Sequence, residues 1–137
     1  MREVTVSRAV DASAAAVSAW LEPETIVEAE GSFTVDHVED ADDEGATLVV
    51  ASGPGMQLPL RFEDREEAIY YTQEGERGPF SHMETWIELE EERSGTVVTI
   101  RSSVSLAAPL PFGDRIAAWK RKGELNRALE ELEAAFG

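Results

Sequence analysis

The side chains with most chemistry to offer in this chain of 137 residues are two histidines, His37 and His82, and they fall on different predicted strands. His82 and Glu84 share a strand face at i, i+2, which permits a metal contact but brings only two ligands. No metal site and no cofactor are therefore expected. The absence of cysteine removes disulfides, thiolate ligands and cysteine nucleophiles together. A Ser/His/acid triad is recognised by geometry and cannot be placed from sequence positions. Gly53-Pro54-Gly55 lacks both the pattern and the following helix of a phosphate loop. Tyr71 and Thr85 are more telling, because alternation turns both inward and a buried hydroxyl needs a partner: each other, a water, or a ligand oxygen. No inward carboxylate is expected. Arg101 joins the inner face only if the last strand runs in the other phase. Acid–base catalysis needs a group within hydrogen-bond reach of its substrate, so enzyme status stays open and a non-catalytic binding role is the expectation.

The elements that would position these groups read clearly. Val4 to Val10 alternates with period two and is rich in β-branched residues, a strand. Asp11 or Ser13 can cap a helix from Ala14 to Leu21, and Pro23 opens a second from Glu24 to Glu30, stopped by Gly31. Strands are predicted at 32–39, 46–52, 56–64, 67–74, 81–91 and 95–106, parted by short turns, so neighbours pair antiparallel as a meander. Pro59 suggests a bulge or an edge within its strand. A long helix over Phe112 to Phe136 closes the chain, with Ala118, Leu125, Ala128, Leu129, Leu132 and Phe136 on one face. Phe112, Ile116 and Trp119 lie on another. One domain over 1–137 is expected.

This order resembles the SRPBCC superfamily, the helix-grip fold of START domains, plant pathogenesis-related allergens and polyketide cyclases. The likeness rests on Val17-Ser18-Ala19-Trp20-Leu21-Glu22-Pro23, where Glu22 replaces the usual Asp, on the Gly95-Thr96-x-Val98 start of the last strand, and on Pro109-x-Pro111-Phe112-x-x-Arg115. It implies an α+β fold: a curved seven-stranded antiparallel sheet, two short helices after the first strand, and a C-terminal helix across the concave face. It also implies a cavity between helix and sheet. Some relatives cyclise or dehydrate a substrate there, and others are co-chaperones or ribosome-interacting proteins.

Connection parity divides the sheet into two ends. The acidic connections, Asp40 to Glu44, Glu63 to Glu67 and Glu90 to Arg93, fall together at one end. Gly53 to Met56, Gly78 to Phe80 and Pro109 to Phe112 fall at the other, each with proline beside a large apolar residue. Residues 1–114 sum to −17 and residues 115–137 to +1, which sets Arg115, Lys120, Arg121 and Lys122 beside the apolar loops. A small apolar or amphipathic guest, lipid- or polyketide-like and suited by the cations if anionic, is the expected ligand. Its candidate contacts are Met56, Phe80, Phe112 and Trp119 at the mouth, with Leu60, Phe62, Tyr71, Met83, Thr85 and Ile100 inside; alternatively, the first group plugs the barrel end. The apolar end could instead hold a protein partner, and Trp119 to Lys122 could touch a membrane surface, unless the run simply pairs with Glu124.

Twenty-eight acids against twelve bases leave −16 overall, which disfavours nucleic-acid backbones and suits concentrated salt, where self-repulsion is screened. No apolar run is long enough to span a membrane, and Met1 to Val4 alternates too early for a signal peptide. A halophile's cytoplasm is the expected setting.

Overall fold

The computed structural model describes residues 1–41, 45–65, 68–76 and 78–137. Strand β1 (Arg2–Val10) is followed by helices α1 (Ala14–Trp20) and α2 (Pro23–Glu30). Strands β2 (Thr34–Asp40), β3 (Thr47–Gly53), β4 (Met56–Arg65), β5 (Ala68–Gln73), β6 (Phe80–Glu92) and β7 (Gly95–Leu106) come next, and α3 (Gly113–Phe136) completes the chain. The strands form one antiparallel sheet in the order β1-β7-β6-β5-β4-β3-β2. This is the α+β helix-grip architecture that the order of elements implies.

Local chemistry explains the boundaries. Ser13, not Asp11, caps α1, its hydroxyl accepting from the Ala16 amide at 3.1 Å. Pro23 occupies the first turn of α2, where its missing N–H costs nothing, and Gly31 ends the helix at φ 84°. Pro59 pairs with Val50 in unbroken register, so the bulge expected there is absent; the shifts fall between Val35 and His37 and between Phe80 and His82. The Pro59 carbonyl accepts from the Glu74 amide, so its missing N–H points the same way, past the end of β5 at Gln73.

The sheet buries alternate residues, which build the core with Val17 and Leu21 from the α1 region and Ile26 and Val27 of α2. On α3, Leu125, Leu129 and Leu132 are buried, so the rear of the helix holds the sheet through large apolar side chains. Its front half buries only Gly113, Ala117 and Ala118 ahead of Arg121. The β3–β4, β5–β6 and β7–α3 connections lie at one end of the sheet by strand order, and the Ala107 amide donates to the Pro79 carbonyl between two of them. The acidic connections lie at the other end; Asp42, Asp43, Glu44, Glu66 and Glu67, on which part of that expectation rests, are outside the described residues, as is Arg77.

Candidate functional site

One register line organises the interior. Phe62 on β4 faces Tyr71 on β5, Tyr71 faces Thr85 on β6, and Thr85 faces Ser102 on β7. An apolar row flanks it on one side, Ile69, Ile87, Ile100 and Val6, and Met83 with Val104 on the other. The Phe62 and Tyr71 rings stack at 4.5 Å between centroids. Three hydroxyls are thus set side by side in the middle of an apolar face.

Arg121 descends onto this row from α3. It is not beside the apolar loops with Lys120 and Lys122, as expected, but 3% exposed. All five of its N–H donors are used: Nη1 on Glu30 Oε1 at 2.6 Å and Glu124 Oε1 at 3.2 Å, Nη2 on Tyr71 Oη at 2.7 Å and Thr85 Oγ1 at 2.9 Å, Nε on Ser102 Oγ at 3.2 Å. Tyr71 in turn donates to Glu30 Oε2, and the Thr85 and Ser102 hydroxyls lie 2.8 Å apart. Tyr71 and Thr85 therefore meet through the guanidinium and not directly. No buried side-chain N or O among the described residues lacks a partner.

Two inward carboxylates overturn the expectation of none. Glu30 ends α2, one turn beyond the buried Ile26 and Val27. Its carbonyl accepts from Arg127 Nε at 2.8 Å, which fixes the helix end against α3. Glu124 lies three residues after Arg121 on the same face. Burial raises the Glu30 pKa above the ordinary glutamate value; Arg121 opposes this, while the charge on Glu124 reinforces it. Burial also holds the Tyr71 phenol protonated well beyond its usual range. Above the ordinary glutamate range, native Glu30 retains a proton that the unfolded chain has released, so its contribution to stability falls as pH rises through the raised native value. Glu30→Gln removes this titration. Urea midpoints measured across about pH 5–8 should vary less in the variant than in the parent.

The other candidates divide into two groups. Leu60, Phe62, Met83 and Ile100 are buried around the polar row, and Phe80 is half-buried at the rim. Met56, Phe112 and Trp119 are exposed, the last two at 74% and 78%, so they do not plug the end of the sheet. Arg101 points outward over the Trp86 ring at 4.6 Å, which fixes the phase of β7 with Ser102 inside. His82 Nε2 lies 3.4 Å from Glu84 Oε1, and among the described residues no cluster of three metal-ligating side chains occurs. A separate open groove of about 960 Å³ runs between α2, β2 and the rear of α3, walled by Trp20, Glu28, His37, Arg127 and Glu130. Its acids far outnumber its bases. No helix among the described residues is long and apolar enough to cross a membrane.

A long helix laid over a seven-stranded meander, with short helices after the first strand, is the START-like helix-grip fold. Solved structures agree. A START superfamily protein from Mycobacterium smegmatis matches with a TM-score of 0.73 at 13% identity, covering 98% of this chain and 96% of its own. The protein XoxI from Bacillus cereus gives 0.75 at 14%, covering 99% and 96%. A protein from Thermus thermophilus gives 0.67 at 20%, covering 99% and 100%. No protein-family profile and no curated protein matches the chain.

Proposed function

We propose that this protein binds a small apolar or amphipathic molecule between the front of α3 and the concave face of the sheet. The observation that carries this reading is the buried polar set on Arg121, lying next to a helix segment whose buried residues are only Gly113, Ala117 and Ala118. A buried ion pair adds little stability over well-packed apolar residues. A polar set kept in an otherwise apolar interior is better explained by a functional role, the hydrogen-bonding of one polar group of a guest. Leu60, Phe62, Met83 and Ile100 supply the apolar wall, Tyr71, Thr85 and Arg121 the polar contact, and Met56, Phe80, Phe112 and Trp119 the rim.

Charge sets the guest's orientation. Arg121 faces two carboxylates, so the interior has no spare positive charge for an anion. A neutral hydroxyl that donates to the Tyr71 or Thr85 oxygen suits the inner contact. An acidic end suits Lys120 and Lys122, which are exposed and form no ion pair among the described residues. Titration with the fluorescent fatty acid cis-parinaric acid should give saturable binding of one molecule per chain, and a fatty acid with a terminal hydroxyl should displace it about tenfold or more less well from Thr85→Val than from the parent. Native mass spectrometry of protein from its own host should show a retained small molecule. Purely apo protein together with no saturable probe would exclude the reading.

Acid–base chemistry on the same guest is the second reading. The observation favouring it is Glu30, a buried carboxylate that accepts from Tyr71 and whose raised pKa suits it to take up a proton. Turnover lost in Glu30→Gln with guest binding retained would select it. The surroundings we infer are cytoplasmic and saline, from the net charge of −16. Adding potassium chloride up to about 1 M should raise the thermal midpoint by screening self-repulsion; a midpoint that falls would count against the saline setting.

A further inference from the structure

Exposed apolar side chains are distributed very unevenly. Seven large ones are exposed among the described residues, and only Val38 lies away from the loop end of the sheet. The other six are Met1, Met56, Leu110, Phe112, Ile116 and Trp119, drawn from the start of β1, the β3–β4 hairpin, the β7–α3 connection and the first turns of α3. Phe112, Ile116 and Trp119 recur at i, i+4 and i+7, a stripe along the outside of the helix. Phe112 is the one described non-glycine residue with positive φ, at 58°, a costly conformation for a bulky residue that here leaves its ring in solvent. Arg115, Lys120 and Lys122 flank the stripe, and none is in an ion pair among the described residues.

We infer that this pole docks on the surface of an anionic lipid bilayer, with the apolar tips in the interface and Arg115, Lys120 and Lys122 on lipid phosphates. The residues project from loop tips and a convex helix face, and do not line a groove that a peptide could fill. An exposed tryptophan beside basic residues has the composition that partitions at the headgroup boundary. Each cation near an anionic surface contributes about 1 kcal/mol. A second copy stacked pole to pole would set these cations against their own counterparts. Most described acids toward the pole are engaged: Asp114 accepts from the Leu106 and Met1 nitrogens, Glu84 from Tyr70 Oη and Asp36 from Ser52 Oγ, and Glu74 lies 3.8 Å from Arg61, leaving Glu3 and Glu76. The described acidic connection, Glu90 to Arg93, stands at the far end of β6, thirteen residues long. That is roughly 40 Å at ~3.3 Å per residue, several Debye lengths at about 0.1 M salt. The negative body does not cancel the local attraction. The docking shares Met56, Phe112, Trp119, Lys120 and Lys122 with the rim proposed above but needs no guest beneath α3.

The test is flotation with phosphatidylcholine vesicles, with and without about a third phosphatidylglycerol, at the lowest salt where circular dichroism reports the native fold. Partitioning should be about tenfold or more higher on the anionic vesicles, with a blue shift of tryptophan emission. Lys120→Glu with Lys122→Glu should remove that preference, and Phe112→Ser with Trp119→Ser should remove partitioning altogether. All four side chains are exposed, so thermal midpoints should stay within a few degrees of the parent. Absence of partitioning by folded parent protein overturns the proposal. So does a concentration-dependent dimer, seen by sedimentation, that the serine pair dissolves. Cis-parinaric acid binding by the parent protein, measured in parallel without vesicles, reports on the guest separately.

Discussion

Arg121→Ala should lose about 3–5 kcal/mol of unfolding free energy, the range for breaking a buried ion pair by removing one partner. The loss comes less from the missing attraction than from what stays behind. Glu30 and Glu124 would face each other in the interior with no counter-charge, and Tyr71, Thr85 and Ser102 would each lose a donor. At this chain length the thermal midpoint should drop by roughly 10–20 °C. Replacing the set together, with Arg121→Met, Glu30→Leu and Glu124→Leu, should restore most of the stability, because no charge is then stranded. The triple variant should still fail to bind a guest. Differential scanning calorimetry on both variants decides the matter: a triple variant no more stable than Arg121→Ala would mean the network itself holds the fold.

Gly95→Ala should cost about 2–4 kcal/mol, although it adds a single methyl group. Gly95 opens β7 at φ 155°, and a Cβ there would lie 2.2 Å from the Val10 carbonyl oxygen and 3.1 Å from its carbon. Both are backbone atoms at the end of β1, and Val10 O already accepts from the Ala12 amide. No side-chain rotation relieves that clash. The end of the β1–β7 pairing, at Val10 with Thr96, would have to open. Gly45, Gly55 and Gly75 also have positive φ but open space around them, so alanine there should cost only about 1 kcal/mol. Chemical denaturation of Gly95→Ala beside Gly55→Ala measures the difference; equal losses would contradict the steric account.

The fold was legible because its signals are local and repeated. Alternation placed β7 at residues 95–106, Ser13 stood among the cap candidates, and turn length alone made the meander. Parity of the connections set Met56, Phe80 and Phe112 at one end, as strand order does. Pro59 misled because its missing donor falls past the end of a shorter neighbour, which a single strand's sequence does not reveal. The polar interior was only half read. Tyr71 and Thr85 emerge from alternation, whereas charge sets Arg121 beside the apolar loops and points to no inward carboxylate at Glu30 or Glu124. The positional signal was available: Arg121 lies four residues before Leu125, and Glu124 four before Ala128, on the face that buries both. Glu30 continues the face of Ile26 and Val27 in the same way. Residue type outweighed position, since arginine and glutamate are rarely buried without partners. Those partners come from α2, α3 and three strands, so only tertiary structure brings them together.

The irregularity in β2 bears on how the protein behaves when crowded. That strand is an edge of the sheet, where backbone amides and carbonyls could template another molecule's chain, and one of them, the Val35 amide, already donates to Glu28 Oε2 at 2.9 Å. The register slip between Val35 and His37 interrupts the ladder there, and Asp36, Glu39 and Asp40 line the same short stretch. A stranger's strand would find its spacing wrong after two residues and its approach opposed by carboxylates. The margin guards itself against fibrous assembly.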